Sequence, residues 1–128
     1  MDYLFLLGRV LYGGFFVLAG INHFRRMSLL AGFAGFNSVP APKVAVVGSG
    51  IVVLAGGLSV ILGCAPTLGV ACIVIFLVPV TLMMHRFWAD QDPQMKQMNI
   101  VNFQKNVALL GAALLLLFIP QPWTFGLR

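Results

Sequence analysis

Charge is what this chain has least of. Only 9% of its 128 residues are charged, with three acidic side chains set against eight Lys and Arg. A water-soluble domain carries about 25% charged residues because its surface must face water, so an ordinary soluble fold is excluded. The net charge of +5 contains no basic run; the cations are scattered at the flanks of apolar stretches, where topology signals and phospholipid contacts belong. That excludes a nucleic-acid partner. Cysteine is also scarce. Cys64 and Cys72 form no Cys-x-x-Cys pair, which removes a thioredoxin-like dithiol and a zinc ribbon, and Cys72 is expected to pack as a small apolar residue rather than in a disulfide. Signals for secretory cleavage are missing too. Asp2 stands where a basic start belongs, Arg9 interrupts the apolar run and Gly20-Ile21-Asn22 is a poor cleavage site, so Tyr3–Ile21 reads as a retained helix.

What the chain does have is apolar length. Tyr3–Ile21, Lys43–Leu62, Pro66–Met84 and Ile100–Pro120 are almost wholly apolar, in a sequence that is 60% hydrophobic. A helix rises about 1.5 Å per residue, so about 20 such residues match the roughly 30 Å hydrocarbon core of a bilayer. The fold class that follows is all-α: an up-down four-helix bundle spanning the cell membrane, one domain over residues 1–128. Met27–Phe36, between the first two stretches, is apolar and glycine-containing and suits a short helix lying in the interface. Val39-Pro40-Ala41-Pro42 stops any helix before the second span.

Small residues Ala45, Ser49, Gly56 and Gly63 run along the second span. In lipid, helices associate by close approach over such residues, which makes this span the central one. The Gly63–Pro66 turn makes the second and third spans an antiparallel hairpin, and Pro79 implies a kink in the third. Residues 89–99 read as the most polar loop, and Trp123 as an interfacial anchor. Six cations, Arg25, Arg26, Lys43, Arg86, Lys96 and Lys105, fall on the side of the long loops, which the positive-inside rule assigns to the cytoplasm, with both termini outside.

Ionisable groups at membrane depth cost several kcal/mol and need a partner or an exit. Arg9 is expected to snorkel to headgroups or pair with Asp2, or else to bind an anion or headgroup. It lies about 21 Å along the axis from His23 and belongs to the opposite end. At the long-loop end, His23, His85, Asn102, Lys105 and Asn106 converge, with Trp88, Phe87 and Phe103 as walls. Three readings fit: an ordinary interfacial belt, a pocket for a small polar or anionic ligand, and a pocket for a quinone head. A quinone suits His and Asn partners beside an aromatic wall, with histidine to handle protons. A metal site from His23, His85 and Asp90 lacks signature spacing.

The order of these features resembles the DoxX family of small four-helix membrane proteins. The matching pieces are Gly8-Arg9-Val10, Phe15 through Phe24, Val39-Pro40-Ala41-Pro42, Phe76-Leu77-Val78-Pro79, Met84-His85-Arg86-Phe87-Trp88 and Asn102 through Gly111. Arg9, Asn22, His23, His85, Trp88, Asn102, Lys105 and Asn106 match the recurring pattern. The resemblance implies a four-helix membrane fold. It also implies association with redox systems, since the family takes its name from a subunit linked to a thiosulfate:quinone oxidoreductase of sulfur-oxidising archaea, and other relatives are linked to redox-stress complexes. More distant relatives are cargo receptors or receptor-assembly chaperones. The expected function is therefore a membrane subunit of a quinone-linked redox system, with quinone as the candidate cofactor and none intrinsic to the chain. The alternatives are a non-enzymatic scaffold that packs on other membrane or redox subunits, or a homo-oligomeric carrier of a small anion or lipid. No catalytic residue is assigned.

Overall fold

In a computed structural model that describes residues 1–127, the chain is helical: α1 Asp2–Arg25, α2 Met27–Phe36, α3 Pro42–Leu62, α4 Pro66–Met84, a 3₁₀ turn Phe87–Ala89, and α5 Pro93–Leu116. α1, α3, α4 and α5 are each long and apolar enough to cross a membrane. Large side chains lie bare along them, Leu4, Leu11 and Leu18 on α1 and Leu68, Ile75 and Leu82 on α4. Such surface belongs against lipid, so the protein is a multi-pass membrane protein.

α3 is the central helix, packed against α1, α2 and α4. Glycine permits this. A Cβ on Gly13 would stand 2.7 Å from the Gly57 carbonyl, and one on Gly57 would stand 2.7 Å from the Gly13 carbonyl. The α1–α3 crossing is thus backbone on backbone, and Gly56 meets Gly69 of α4 in the same manner. Phe16, Val53, Val60, Val70, Ile73, Leu77 and Ala113 fill the core between these crossings.

α3 and α4 start alike. Each has alanine in the left-handed region (Ala41 φ 45, Ala65 φ 47) followed by proline in the first turn, where its missing N–H costs nothing. Two boundaries differ from the sequence reading. α1 runs on to Arg25, which places Asn22 and His23 inside the helix. α5 begins at Pro93, not Ile100, and ends at Leu116, not Pro120. Asp92 caps it by accepting from the Met95 N–H at 2.8 Å, so most of the expected polar loop is helix. A cap with proline beside it sets a helix start whether or not the first turns are apolar.

Candidate functional site

The two ends of the bundle treat polar groups differently. Where the termini meet the 63–66 turn, Arg9 is 1% exposed. Its Nε donates to the Val60 carbonyl at 3.0 Å, Nη2 to Ile61 at 2.7 Å and Nη1 to Thr124 at 2.6 Å. Val60 and Ile61 belong to the last turn of α3, whose carbonyls lack helical donors and carry the negative end of the helix dipole. The remaining orphans are met as well: Ser59 accepts from the N–H groups of Gly63 and Cys64, and Leu62 from that of Leu127. Phe5 and Trp123 flank the guanidinium at 5.6 and 5.5 Å from its carbon. Arg9 therefore neither snorkels nor pairs with Asp2; a helix C-terminus supplies its partners inside the protein. Trp123, expected at the interface, is 3% exposed and edge-on to Phe5 at 5.3 Å, because the segment after α5 folds back over Arg9.

At the other end lies a cavity of about 530 Å³. Leu30, Ala34, Val39 and Pro40 from α2 and its exit form one wall, Ala45, Val46, Ser49 and Val52 of α3 another, and Ile75, Phe76, Pro79, Val80, Met83 and Met84 of α4 a third. His23 and His85 both line it. Apart from these and Ser49 the lining is apolar, the character of a small-molecule site with few orienting groups. Pro40, Ile75 and Pro79 of its lining are exposed, so the cavity is open rather than sealed within the bundle.

His23 is held from three sides. A Cβ on Gly50 of α3 would stand 2.9 Å from the His23 Cβ, so the lack of a side chain there gives the ring its place. Phe76 meets it edge-on at 5.6 Å. Its Nδ1 lies 2.7 Å from the Ala19 carbonyl, which can only accept, so Nδ1 carries the proton and Nε2 is left as an acceptor in the neutral ring. His85 ends in the same state by another route. Asp90 accepts from Asn99 Nδ2 at 2.8 Å. That fixes the amide with Oδ1 towards His85 Nδ1 at 3.2 Å, and again the proton sits on Nδ1.

The other expected site residues do not join this cavity. Trp88, 55% exposed, forms an aromatic cluster with Phe87 and Phe103 at 5.2 to 6.0 Å. Lys105 donates to Asn102 Oδ1 at 3.3 Å and lies 5.5 Å from the centre of the Phe15 ring. Asn106 is buried, at 6% exposure. These three sit on α5, whereas the cavity is walled by α1 to α4. With the start of α5 at Pro93 they lie near the middle of that helix, and Lys105 packs over Phe15 midway along α1, so they belong neither to the helix end that their spacing suggested nor to the helices that enclose the space. Asn99 was missed because the capping signal of Asp92-Pro93 was read as loop. Pro79 was noted only as a kink, although it also withholds the N–H that the Ile75 carbonyl would receive in an unbroken helix.

Among the described residues, no group of three or more His, Cys, Asp or Glu is placed to hold a metal ion. Cys64 and Cys72 are both free thiols.

Residues 4–86 match the model of the DoxX family. The chain belongs to the DoxX family. The matched segment runs from the first turns of α1 to the residue after His85, so the whole lining of the cavity lies within it while α5 lies beyond. No curated protein and no solved structure matches this DoxX chain.

Proposed function

We propose that this DoxX protein is the membrane subunit of a quinone-linked redox system and that the cavity between α1, α2, α3 and α4 receives the ring of a lipid-borne quinone. One observation carries the reading: a largely apolar space of about 530 Å³ that contains both histidines of the chain. An apolar wall accepts a ring arriving through the lipid, and two imidazoles supply polar contacts and proton acceptors in a region where few other groups titrate. Electron carriers beyond the quinone would belong to a partner subunit.

Protein extracted in mild detergent is expected to retain a prenylated quinone, identified by mass spectrometry of the organic extract. His23→Ala and His85→Ala should lose it while keeping the helical circular dichroism. A preparation that instead yields one stoichiometric membrane partner and never a quinone would favour the scaffold reading, to which the sparsely covered α5 lends itself. Uptake of thiosulfate or sulfite into proteoliposomes would favour transport. Arg9 has no part in that alternative while its guanidinium is engaged by three carbonyls.

The histidine end is read as cytoplasmic because Arg25, Arg26, Lys43, Arg86, Lys96 and Lys105 gather there. Cys64 is exposed in the turn at the opposite end, and Cys72 is half-buried. A membrane-impermeant maleimide should therefore label Cys64 in intact cells; labelling only after permeabilisation would reverse the orientation.

A further inference from the structure

The polar groups around the cavity are of one kind. His23 and His85 spend their Nδ1 protons on Ala19 and Asn99, which leaves two Nε2 acceptors. Ser49 spends its hydroxyl proton on the Val46 carbonyl at 3.2 Å, leaving only lone pairs. Pro79 leaves the Ile75 carbonyl without its usual helical donor, and both residues are in the wall. Met83 and Met84 add thioethers, which are weak acceptors. The cavity thus offers acceptors to whatever enters it, and no side chain named in its lining has a free donor.

A quinone carbonyl also only accepts. A hydroquinone donates through both hydroxyls. We infer that the cavity binds the reduced, hydroxyl-bearing form of its ring ligand in preference to the oxidised form, and that Asp90 and Asn99 set this preference from outside the cavity. The inference rests on the quinone-linked reading and concerns binding alone. Asn99 is a positioning residue: its amide could present either end to His85, and the Asp90 carboxylate selects the oxygen. Were the amide reversed, its NH₂ would face Nδ1, the ring proton would move to Nε2, and one acceptor would become a donor.

The test is calorimetric titration, under anaerobic conditions, of the protein in phosphatidylcholine nanodiscs. The probes are a short-chain benzohydroquinone, the matching benzoquinone and the hydroquinone dimethyl ether, which keeps the shape and loses both donors. The hydroquinone is expected to bind about tenfold more tightly than either of the others, the size of an added hydrogen bond or two. His23→Phe and His85→Phe should each remove most of that ratio, chiefly through lost hydroquinone affinity. Asp90→Asn frees the amide to turn and should lower the ratio about threefold, with the His85 ¹⁵N resonances moving from the Nδ1–H towards the Nε2–H pattern. Asn99→Leu should do likewise, and Asp90→Asn carries the test should the leucine variant fail to fold. Quinone binding as tight as hydroquinone, or an unchanged ratio and ¹⁵N pattern in Asp90→Asn, would overturn this inference and leave the quinone-linked reading standing. Failure of all three probes to bind would overturn both.

Discussion

The Arg9 end and the histidine end of this bundle solve the same problem in opposite ways. Both bring polar side chains into a region where the solvent offers no hydrogen bonds. At the Arg9 end, the orphan carbonyls of the last turn of α3 are met by Arg9, by cap N–H groups or by Leu127. At the histidine end, each ring has one nitrogen engaged by the protein and the other left over. Complete satisfaction marks a structural joint, and half satisfaction marks a place for something else. The pair teaches that a charged residue in a membrane helix is not by itself a site; what separates the cases is the tally of donors and acceptors.

The largest effect should come from breaking the satisfied end. Arg9→Met leaves the carbonyls of Val60, Ile61 and Thr124 without donors in a dry space. At about 1.5–3 kcal/mol for a hydrogen bond to a charged group, and with partial rearrangement, a loss on the order of 4 kcal/mol is expected. Arg9→Lys should recover only part of it, because one ammonium cannot span three carbonyls on two segments. Thermal or steric-trap unfolding in detergent measures both. His23→Ala in the same assay should stay within about 1 kcal/mol of the parent, since a partly exposed ring with one local bond supports little. Equal losses at the two ends would end the distinction.

A step down in size, Gly50→Ala probes the open end through its scaffold. The added methyl would sit 2.9 Å from the His23 Cβ, so α1 or the ring must give way. The stability cost should be about 1 kcal/mol, but loss of bound ring ligand should be about tenfold because His23 no longer sits against Phe76. Gly57→Ala, one crossing away and walled by backbone and Val17, should show the reverse: about 2–3 kcal/mol of stability and little change in ligand affinity once folded. Binding and melting measured on the two variants sharpen the contrast between a joint and a site.

Much of this fold was legible in the chain, and the parts that were not share a cause. Hydropathy located the four spans because burial in lipid selects for apolar length. Met27–Phe36 was legible as a short helix, and the Gly63–Pro66 turn fixed the hairpin. Hydropathy could not find the start of α5, because Asp92 and Pro93 set it by hydrogen bonding and backbone geometry while the turns they open are polar. It read Trp123 as a membrane anchor because an indole suits an interface and a protein interior equally; only the fold-back onto Arg9 decides. For the candidate site, helical spacing brought His23 and His85 to one end. It put Asn102, Lys105 and Asn106 there as well, because a helix start taken at Ile100 instead of Pro93 sets in the first turns residues that lie near the middle of α5. Asn99, which orients His85, carries no pattern of its own.

The smallest effect concerns a strain shared by both ends. Ala41 opens α3 beside the cavity and Ala65 opens α4 beside the Arg9 joint, with φ of 45 and 47. For an L-residue with a Cβ this region costs roughly 1–2 kcal/mol, and glycine enters it freely. Glycine also gives the unfolded chain more freedom, which offsets about 0.4–1 kcal/mol. The difference favours the folded state, so Ala65→Gly should raise stability by about 0.5 kcal/mol, visible as a small increase in melting temperature. Ala41→Gly has the same local arithmetic, yet it lies next to Pro40 of the cavity wall. A looser backbone there should leave the stability gain similar while weakening ligand binding about twofold, since part of the ordering is then done on association. Identical behaviour of the two variants in both assays would mean that the cavity wall draws no rigidity from the α3 cap.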